Sequence, residues 1–225
     1  LRALRGPPRE VRVLTHLARA DERDCPMTRE QLARLQSCLA ALQPHDCFAG
    51  PGGRPVVSIG NSAGLLGWPE ARGDWVRPGL ALYGVSPFPG EVGADIGLAP
   101  AMTLESSVIA VRRVPTGEPV GYGGGWRAER DASIAILAAG YGDGVPRHLA
   151  SGAPVQFATG QGRLAGRVSM DMIAVDVTGL AGVRVGDKAV LWGAALPVER
   201  VAEHAGTIPY ELICGVSQRV PLELK

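Results

Sequence analysis

Residues 138–147 read Ala-Ala-Gly-Tyr-Gly-Asp-Gly-Val-Pro-Arg, an apolar run ending in a tyrosine with glycine on either side. Flanking glycines let the backbone turn tightly and leave the phenol protruding, where it can give or take a proton. The same pattern also describes a hairpin loop with a surface tyrosine. Residues 166–172, Gly-Arg-Val-Ser-Met-Asp-Met, set Arg167 and Asp171 beside Met170. Asn61-Ser62 stands between an apolar run and a short helical piece. The pair suits a helix cap, and equally a hydroxyl and amides offered to a phosphate. Arg77-Pro78-Gly79 places a permanent cation beside a glycine whose amide can approach a ligand closely. His16 closes a short apolar run, and Tyr210 follows the Gly206 expected to stop a helix. Taken singly, each of these is more often structural than chemical.

The elements that must position these residues divide into two kinds. Residues 11–17, VRVLTHL, read as a buried strand. Met27–Gln43 reads as a helix, with Thr28 and Gln31 as a capping box and Leu32, Leu35, Leu39 and Leu42 at helical spacing. VVSIGNSAGLL gives a strand and then a short helix, and VRPGLALYG another strand. Alternating strands and helices predict a parallel α/β part over residues 1–95. From residue 96 onward, LESSVIAVRRV, SIAILAAGY, PVQFATG, MIAVDVTG and KAVLWG are short β-rich runs separated by Gly or Asp. In the fourth of these, Ile173, Val175 and Val177 alternate with Ala174 and Asp176, the period of a half-buried strand. Only VERVAEHAG reads as helical there, so residues 96–225 are expected to form an all-β domain.

Composition narrows the function. A net charge of +1 gives no reason to expect nucleic acid or an anionic membrane as partner. No apolar run approaches the ~18 residues that a membrane helix needs. The first ten residues lack the apolar core of an export signal, and Cys25, Cys38, Cys47 and Cys214 form no Cys-x-x-Cys pair. Reduced thiols, a cytoplasmic location and no metal site are the expectation. With 31 glycines and 18 prolines the chain should be rich in turns. Of its 23 basic residues only Lys188 and Lys225 are lysines, and neither stands where a buried catalytic amine would.

In order, THLARADE (15–22), GNSAG (60–64), VRPGLALYG (76–84), VGYGGGW (120–126), AAGYGDGVPR (138–147), GRVSMDM (166–172), GDKAVLWG (186–193), TIPYEL (207–212) and QRVP (218–221) resemble the alanine racemase family. The resemblance spans nearly the whole chain, and the fifth and sixth stretches make a highly specific pair. It implies the last part of a (β/α)8 barrel followed by a C-terminal β domain. It also implies pyridoxal 5'-phosphate as cofactor and alanine as substrate, with L- and D-alanine interconverted through a cofactor aldimine by two bases, supplying D-alanine to the cell wall.

By the same resemblance, Arg77 matches the arginine that bonds the cofactor's pyridine nitrogen, while Ser62, Gly79, Leu80 and Tyr210 match its phosphate cradle. Tyr141 matches the second acid/base. A free phenol titrates near pH ~10, and the family tunes it through a histidine and an arginine that His16 and Arg77 match. Met170 matches a residue whose backbone contacts the substrate carboxylate. The family pattern is a homodimer in which Tyr141 and Met170 reach into the partner's barrel. Gly60 and Gly64 stand where alanine is common. The earlier barrel strands, with the lysine that bonds the cofactor, would precede Leu1, so this chain alone is expected to be inactive. Three βα units cannot close an eight-stranded barrel, so the strand at 11–17 should present an unpaired edge. Two alternatives are a catalytically inactive fragment or dimerisation module, and a related pyridoxal-phosphate barrel enzyme such as an amino-acid decarboxylase. The decarboxylase usually pairs the pyridine nitrogen with a carboxylate, against which Arg77 argues.

Overall fold

A computed structural model describes residues 10–42 and 44–224. The first nine residues, Gln43 and Lys225 lie outside it, and with them most of the N-terminal decapeptide and the second lysine discussed above. The chain forms two units. The first runs to Leu82 and takes in Ser86–Glu91; the second comprises Tyr83–Val85 and the chain from Val92 onward.

In the first unit β1 (Arg12–Leu14), β2 (Val56–Asn61) and β3 (Trp75–Arg77) form a three-stranded parallel sheet in the order β1-β2-β3. α1 (Pro26–Ala40) connects β1 to β2, α2 (Ser62–Gly67) follows β2, and α3 (Gly79–Leu82) follows β3. Val57 and Ile59 point from β2 into a core with Leu17, Leu32, Trp68, Leu80 and Phe88. The Trp68 indole donates to the Ala20 carbonyl at 2.9 Å, so its polar atom is satisfied on burial. Among the described residues β1 pairs with β2 alone, and Leu14 on it is 64% exposed.

Three expectations need correction here. VRPGLALYG is not one strand: β3 stops at Arg77, because Pro78 has no N–H to continue the ladder, and α3 begins at once, with Leu82 N–H bonded to the Pro78 carbonyl. Thr28 and Gln31 make no capping box. Pro26 starts α1 with Cys25 as its uncapped N-cap, Thr28 is buried two residues inside, and the Gln31 side chain turns elsewhere. The helix also ends at Ala40 rather than continuing to residue 43.

The second unit is built on a closed antiparallel barrel, in the order β10-β7-β4-β11-β8-β9. Its strands are β4 (Leu104–Val114), β7 (Ala132–Leu137), β8 (Pro154–Phe157), β9 (Gly160–Leu164), β10 (Ile173–Asp176) and β11 (Lys188–Trp192). Closure removes free sheet edges. Ile173, Val175 and Val177 are all buried, as the alternation predicts. A small hairpin, β5 (Pro119–Val120) and β6 (Trp126–Arg127), lays Val120 and Trp126 on a cluster of Ala128, Ala132, Ile134 and Ala165.

Two elements of this unit escaped the sequence reading. β9, sequence GQGRL, has too few apolar residues to look like a strand, yet Gly160 to Arg163 pair with β8 and Leu164 pairs with Val175 of β10. Besides α4 (Val198–Ala205), which ends on Gly206 at φ 63°, α5 (Pro209–Gly215) is also helical, started by Pro209.

At the N-terminal ends of β2 and β3, Asp74 accepts both Arg54 guanidinium nitrogens at 2.9 and 2.7 Å and the Val57 amide at 2.8 Å. The Arg54 bonds first, and then the Val57 amide, lower its carboxyl from 3.8 to about 2. A carboxyl with a lowered folded pKa stabilises the fold above its unfolded value and loses that contribution as pH falls through the folded one. Asp74→Asn should therefore lower the urea midpoint at pH 7. The gap from wild type should shrink below pH 3.8 and close near pH 2. A gap that stays constant with pH would refute this role. The flank of β1 that has no partner among the described residues predicts that the chain, expressed as these 225 residues, self-associates as its concentration rises. Sedimentation velocity showing a concentration-independent monomer would contradict that.

Candidate functional site

Strands that run parallel deliver whatever follows them to one edge of the sheet. Thr15-His16 follows β1, Ser62 follows β2, and Pro78-Gly79-Leu80 follows β3, so His16, Ser62, Arg77, Gly79 and Leu80 all lie at the C-terminal ends of these strands. Arg77 is the last residue of β3. Its Nη1 donates to Ser58 Oγ at 2.6 Å, and its Nη2 donates to the carbonyls of Thr15 at 2.8 Å and Ile59 at 3.3 Å. Ser58 Oγ in turn donates to the Trp75 carbonyl at 3.2 Å. Nη2 also lies 3.5 Å from His16 Nδ1.

Two side chains fix the backbone around His16. The Gln31 amide donates to the His16 carbonyl at 3.2 Å and accepts from Ala18 N–H at 3.0 Å. Asn61 Nδ2 reaches the Leu17 carbonyl at 3.4 Å. Gln31 and Ser58 were not singled out from the sequence. The one signal, a glutamine three residues after a threonine, was read as a cap.

Asn61 caps α2 by accepting the Gly64 amide at 2.8 Å, which leaves Ser62 for the other role. Ser62 is 1% exposed, and its Oγ accepts from Ala81 N–H at 3.2 Å. That bond uses one lone pair, and the hydroxyl proton is left to donate. Gly79 and Leu80 open α3, so their amides have no carbonyl one turn back within it. Among the described residues no carboxylate pairs with Arg77, and its Nε–H has no acceptor. A buried hydroxyl, opening amides and a spare guanidinium N–H thus share one edge. They suit a molecule with an anionic end and a ring acceptor, and pyridoxal 5'-phosphate has both.

Tyr141, Met170 and Tyr210 belong to the second unit. The turn at residues 140–144 is held by Asp143, whose Oδ2 accepts from Gly140 N–H at 2.9 Å. Tyr141 N–H bonds the Ser169 carbonyl at 2.9 Å and Gly142 N–H the Met170 carbonyl at 2.8 Å, so Tyr141 and Met170 are brought together through their backbones. Met170 is 52% exposed, not the core methionine its type would suggest, and its own N–H has no acceptor among the described residues. Tyr141 is also exposed, and its phenol has no partner among the described residues. Tyr210 lies in the first turn of α5, likewise exposed, its phenol free of described partners. Arg167 takes no part in these bonds. Lys188 is on β11, where it pairs with Glu105.

Family models for "Alanine racemase, N-terminal domain" and "Alanine racemase, C-terminal domain" match residues 1–87 and 101–224. Alanine racemases from Yersinia pestis and from Aeromonas hydrophila are each 49% identical over 99% and 94% of the chain. The chain spans 59% and 56% of the length of these two relatives. Among solved structures, biosynthetic alanine racemase from Pseudomonas aeruginosa matches with a TM-score of 0.87 at 45% identity, covering 95% of this chain and 56% of that one. Alanine racemase from Streptomyces coelicolor A3(2) matches at 0.83 and 37% identity, covering 94% and 55%.

The turn at 140–144 yields a direct test of geometry. A Cβ on Gly140 would overlap the Ser169 and Met170 carbonyl oxygens, which are backbone and cannot swing away. Gly140→Ala should cost about 1–3 kcal/mol, the usual penalty of overpacking, and should release the Tyr141–Ser169 bond. Gly152, where a Cβ would meet nothing within 4 Å but φ is 92°, serves as a comparison for backbone strain alone. Equal denaturation midpoints for Gly140→Ala and the wild type would rule out the close approach.

Proposed function

Because the chain belongs to the alanine racemase family, we propose that it takes part in interconverting L- and D-alanine, with pyridoxal 5'-phosphate held at the C-terminal ends of β1, β2 and β3. The observation that carries this reading is the Arg77 guanidinium, fixed by Ser58, Thr15 and Ile59 with its Nε–H to spare. The cofactor, when bound, supplies the electron sink that makes an amino acid's α-proton removable.

Each residue then has a definite task. The Arg77 Nε–H would donate to the pyridine nitrogen. Because a guanidinium does not give up its proton, that nitrogen gains a hydrogen bond and not a positive charge. The sink is thereby weaker than one beside a carboxylate. With the cofactor bound, that weaker sink would favour return of the proton to the α-carbon over transamination. Ser62 and the amides of Gly79 and Leu80 hold the phosphate as neutral donors, and Tyr210 adds its phenol. Tyr141 gives or takes the α-proton on one face of the substrate. A lysine serves the other face. Lys188, in its ion pair with Glu105, does not suit that part, and the lysine comes from outside the described residues. The Met170 amide holds the substrate carboxylate. His16 relays charge between the phenol and Arg77. The centre is completed in a homodimer, where Tyr141 and Met170 of one copy serve the first unit of the other, and the enzyme works in the cytoplasm to supply D-alanine for peptidoglycan. Among the described residues no helix is long and apolar enough to cross a membrane. The family match disfavours the decarboxylase alternative.

The test uses the protein that carries this chain, supplied with pyridoxal 5'-phosphate and alanine in D₂O. Tyr141→Phe should leave the cofactor's absorbance band in place and cut racemisation by roughly 10²–10⁴-fold, the span of a lost acid/base. Deuterium uptake at Cα should fall more for one enantiomer than for the other. Ser62→Ala should weaken cofactor binding, read by dialysis, without that asymmetry. Full racemisation by Tyr141→Phe would overturn the assignment.

A further inference from the structure

The QRVP stretch, residues 218–221, has a match in the family but no part in the tasks above. In the second unit its arginine lies across the Tyr141 turn. Arg219 Nη2 donates to Asp171 Oδ1 at 2.6 Å, and Arg219 Nε lies 3.5 Å from Asp143 Oδ1. Asp143 is two residues beyond Tyr141, and Asp171 is the neighbour of Met170. The same C-terminal segment adds a backbone tie, from Ser217 N–H to the Asp143 carbonyl at 3.1 Å. A Cβ on Gly142 would strike Arg219 Nη1, so the guanidinium sits against the bare glycine face between the two segments.

We propose that Arg219 is a positioning residue: by bridging Asp143 and Asp171 it fixes the turn carrying Tyr141 against the segment carrying Met170, and so holds phenol and amide at one spacing. This rests on the roles given to Tyr141 and Met170 above. The two backbone bonds between these segments leave the turn able to rock about them. A guanidinium anchored beyond both stops that motion. Asp171 and Asp143 are like charges that would otherwise push the segments apart, and the cation between them removes that push. Asp171 in turn raises the Arg219 pKa through its hydrogen bond, with Asp143 adding to it. Arg219 and Asp171 are both about half exposed, and exposed ion pairs add little to global stability. The bridge's effect should accordingly appear in local order and turnover rather than in the melting temperature.

Arg219→Gln, Arg219→Lys, Asp171→Asn and the Arg219→Gln/Asp171→Asn double variant would be compared with wild type in the protein that carries this chain. Amide hydrogen exchange and racemisation kinetics would both be measured. In Arg219→Gln, exchange at the Tyr141, Gly142 and Ser217 amides should quicken by roughly tenfold or more, while β7 and β10 stay as protected as before. kcat should fall by roughly tenfold or more, since small misplacement of a reacting group is costly. Arg219→Lys should recover part of both. Asp171→Asn should do little further harm in the Arg219→Gln background, the sign of a shared interaction. Unchanged exchange at Tyr141 and Gly142 would overturn the proposal. So would faster exchange with unaltered kcat and KM, which would mark a tie without bearing on the reaction. If Tyr141→Phe itself racemises normally, the function assigned to Tyr141 fails instead, and the exchange pattern still decides whether Arg219 holds the two segments together.

Discussion

One guanidinium ties the three parallel strands of the first unit together. Arg77 ends β3, bonds the carbonyl just past β1, and bonds both a side chain and a carbonyl of β2. Each acceptor is neutral. The cation's charge is therefore solvated by fixed dipoles without being cancelled, and it remains effective toward a ligand. Remove the guanidinium, and the Thr15 and Ile59 carbonyls and the Ser58 hydroxyl, all part-buried, lose this donor together. The residue that aligns the strand ends is also the one that faces the cofactor in the proposed reading, so site geometry and sheet geometry are the same constraint. A lysine would not replace it, since one point charge cannot span three acceptors that a planar fork reaches at once.

The second unit meets a similar demand by another route. Its barrel strands need no edge protection, and the turns between them are free to specialise. The 140–144 turn comes within backbone contact of residues 169–170, which is possible only because Gly140 and Gly142 lack side chains. Gly140 is thus required for close approach rather than for an unusual backbone angle, and its φ is not among the positive ones. An exposed tyrosine held by its backbone from below is well suited to proton transfer: the ring can reach out while its origin stays fixed.

Some of this was legible in the sequence and some was not, for identifiable reasons. The alternation of Ile173, Val175 and Val177 is a one-dimensional pattern, and burial follows it directly. Gly206 after VERVAEHA marks a helix end because only glycine takes that φ without strain. β9 is illegible because its neighbours, not its own residues, make it a strand: Gly162 faces Val175 with no room for a side chain. α3 hid behind the apolar content of VRPGLALYG, where Pro78 was the stronger signal. Ser62, Arg77, Tyr141 and Met170, to which the proposed reading gives tasks, stand in local motifs whose order along the chain carries the family resemblance. The contacts of Gln31, Ser58 and Arg219 are not legible in this way, because each acts on a partner 13 to 76 residues away in sequence, and no local pattern encodes that.

The failure at Gln31 is instructive about how such sites are built. A Thr-x-x-Gln pair before an apolar run favours a cap when the glutamine has nothing better to bond. Here the loop after β1 presents a free carbonyl at His16 and a free amide at Ala18, and one amide side chain satisfies both. Gln31 makes two backbone bonds there in place of one cap bond, and α1 begins with Pro26, whose missing N–H already spares the helix one orphan donor. Since α1 packs through Leu32 and spans the connection from β1 to β2, the bond also transmits helix placement to the imidazole that faces Arg77. The position of His16 is therefore approached from two sides, by Gln31 on its backbone at 3.2 Å and by Arg77 beside its ring at 3.5 Å.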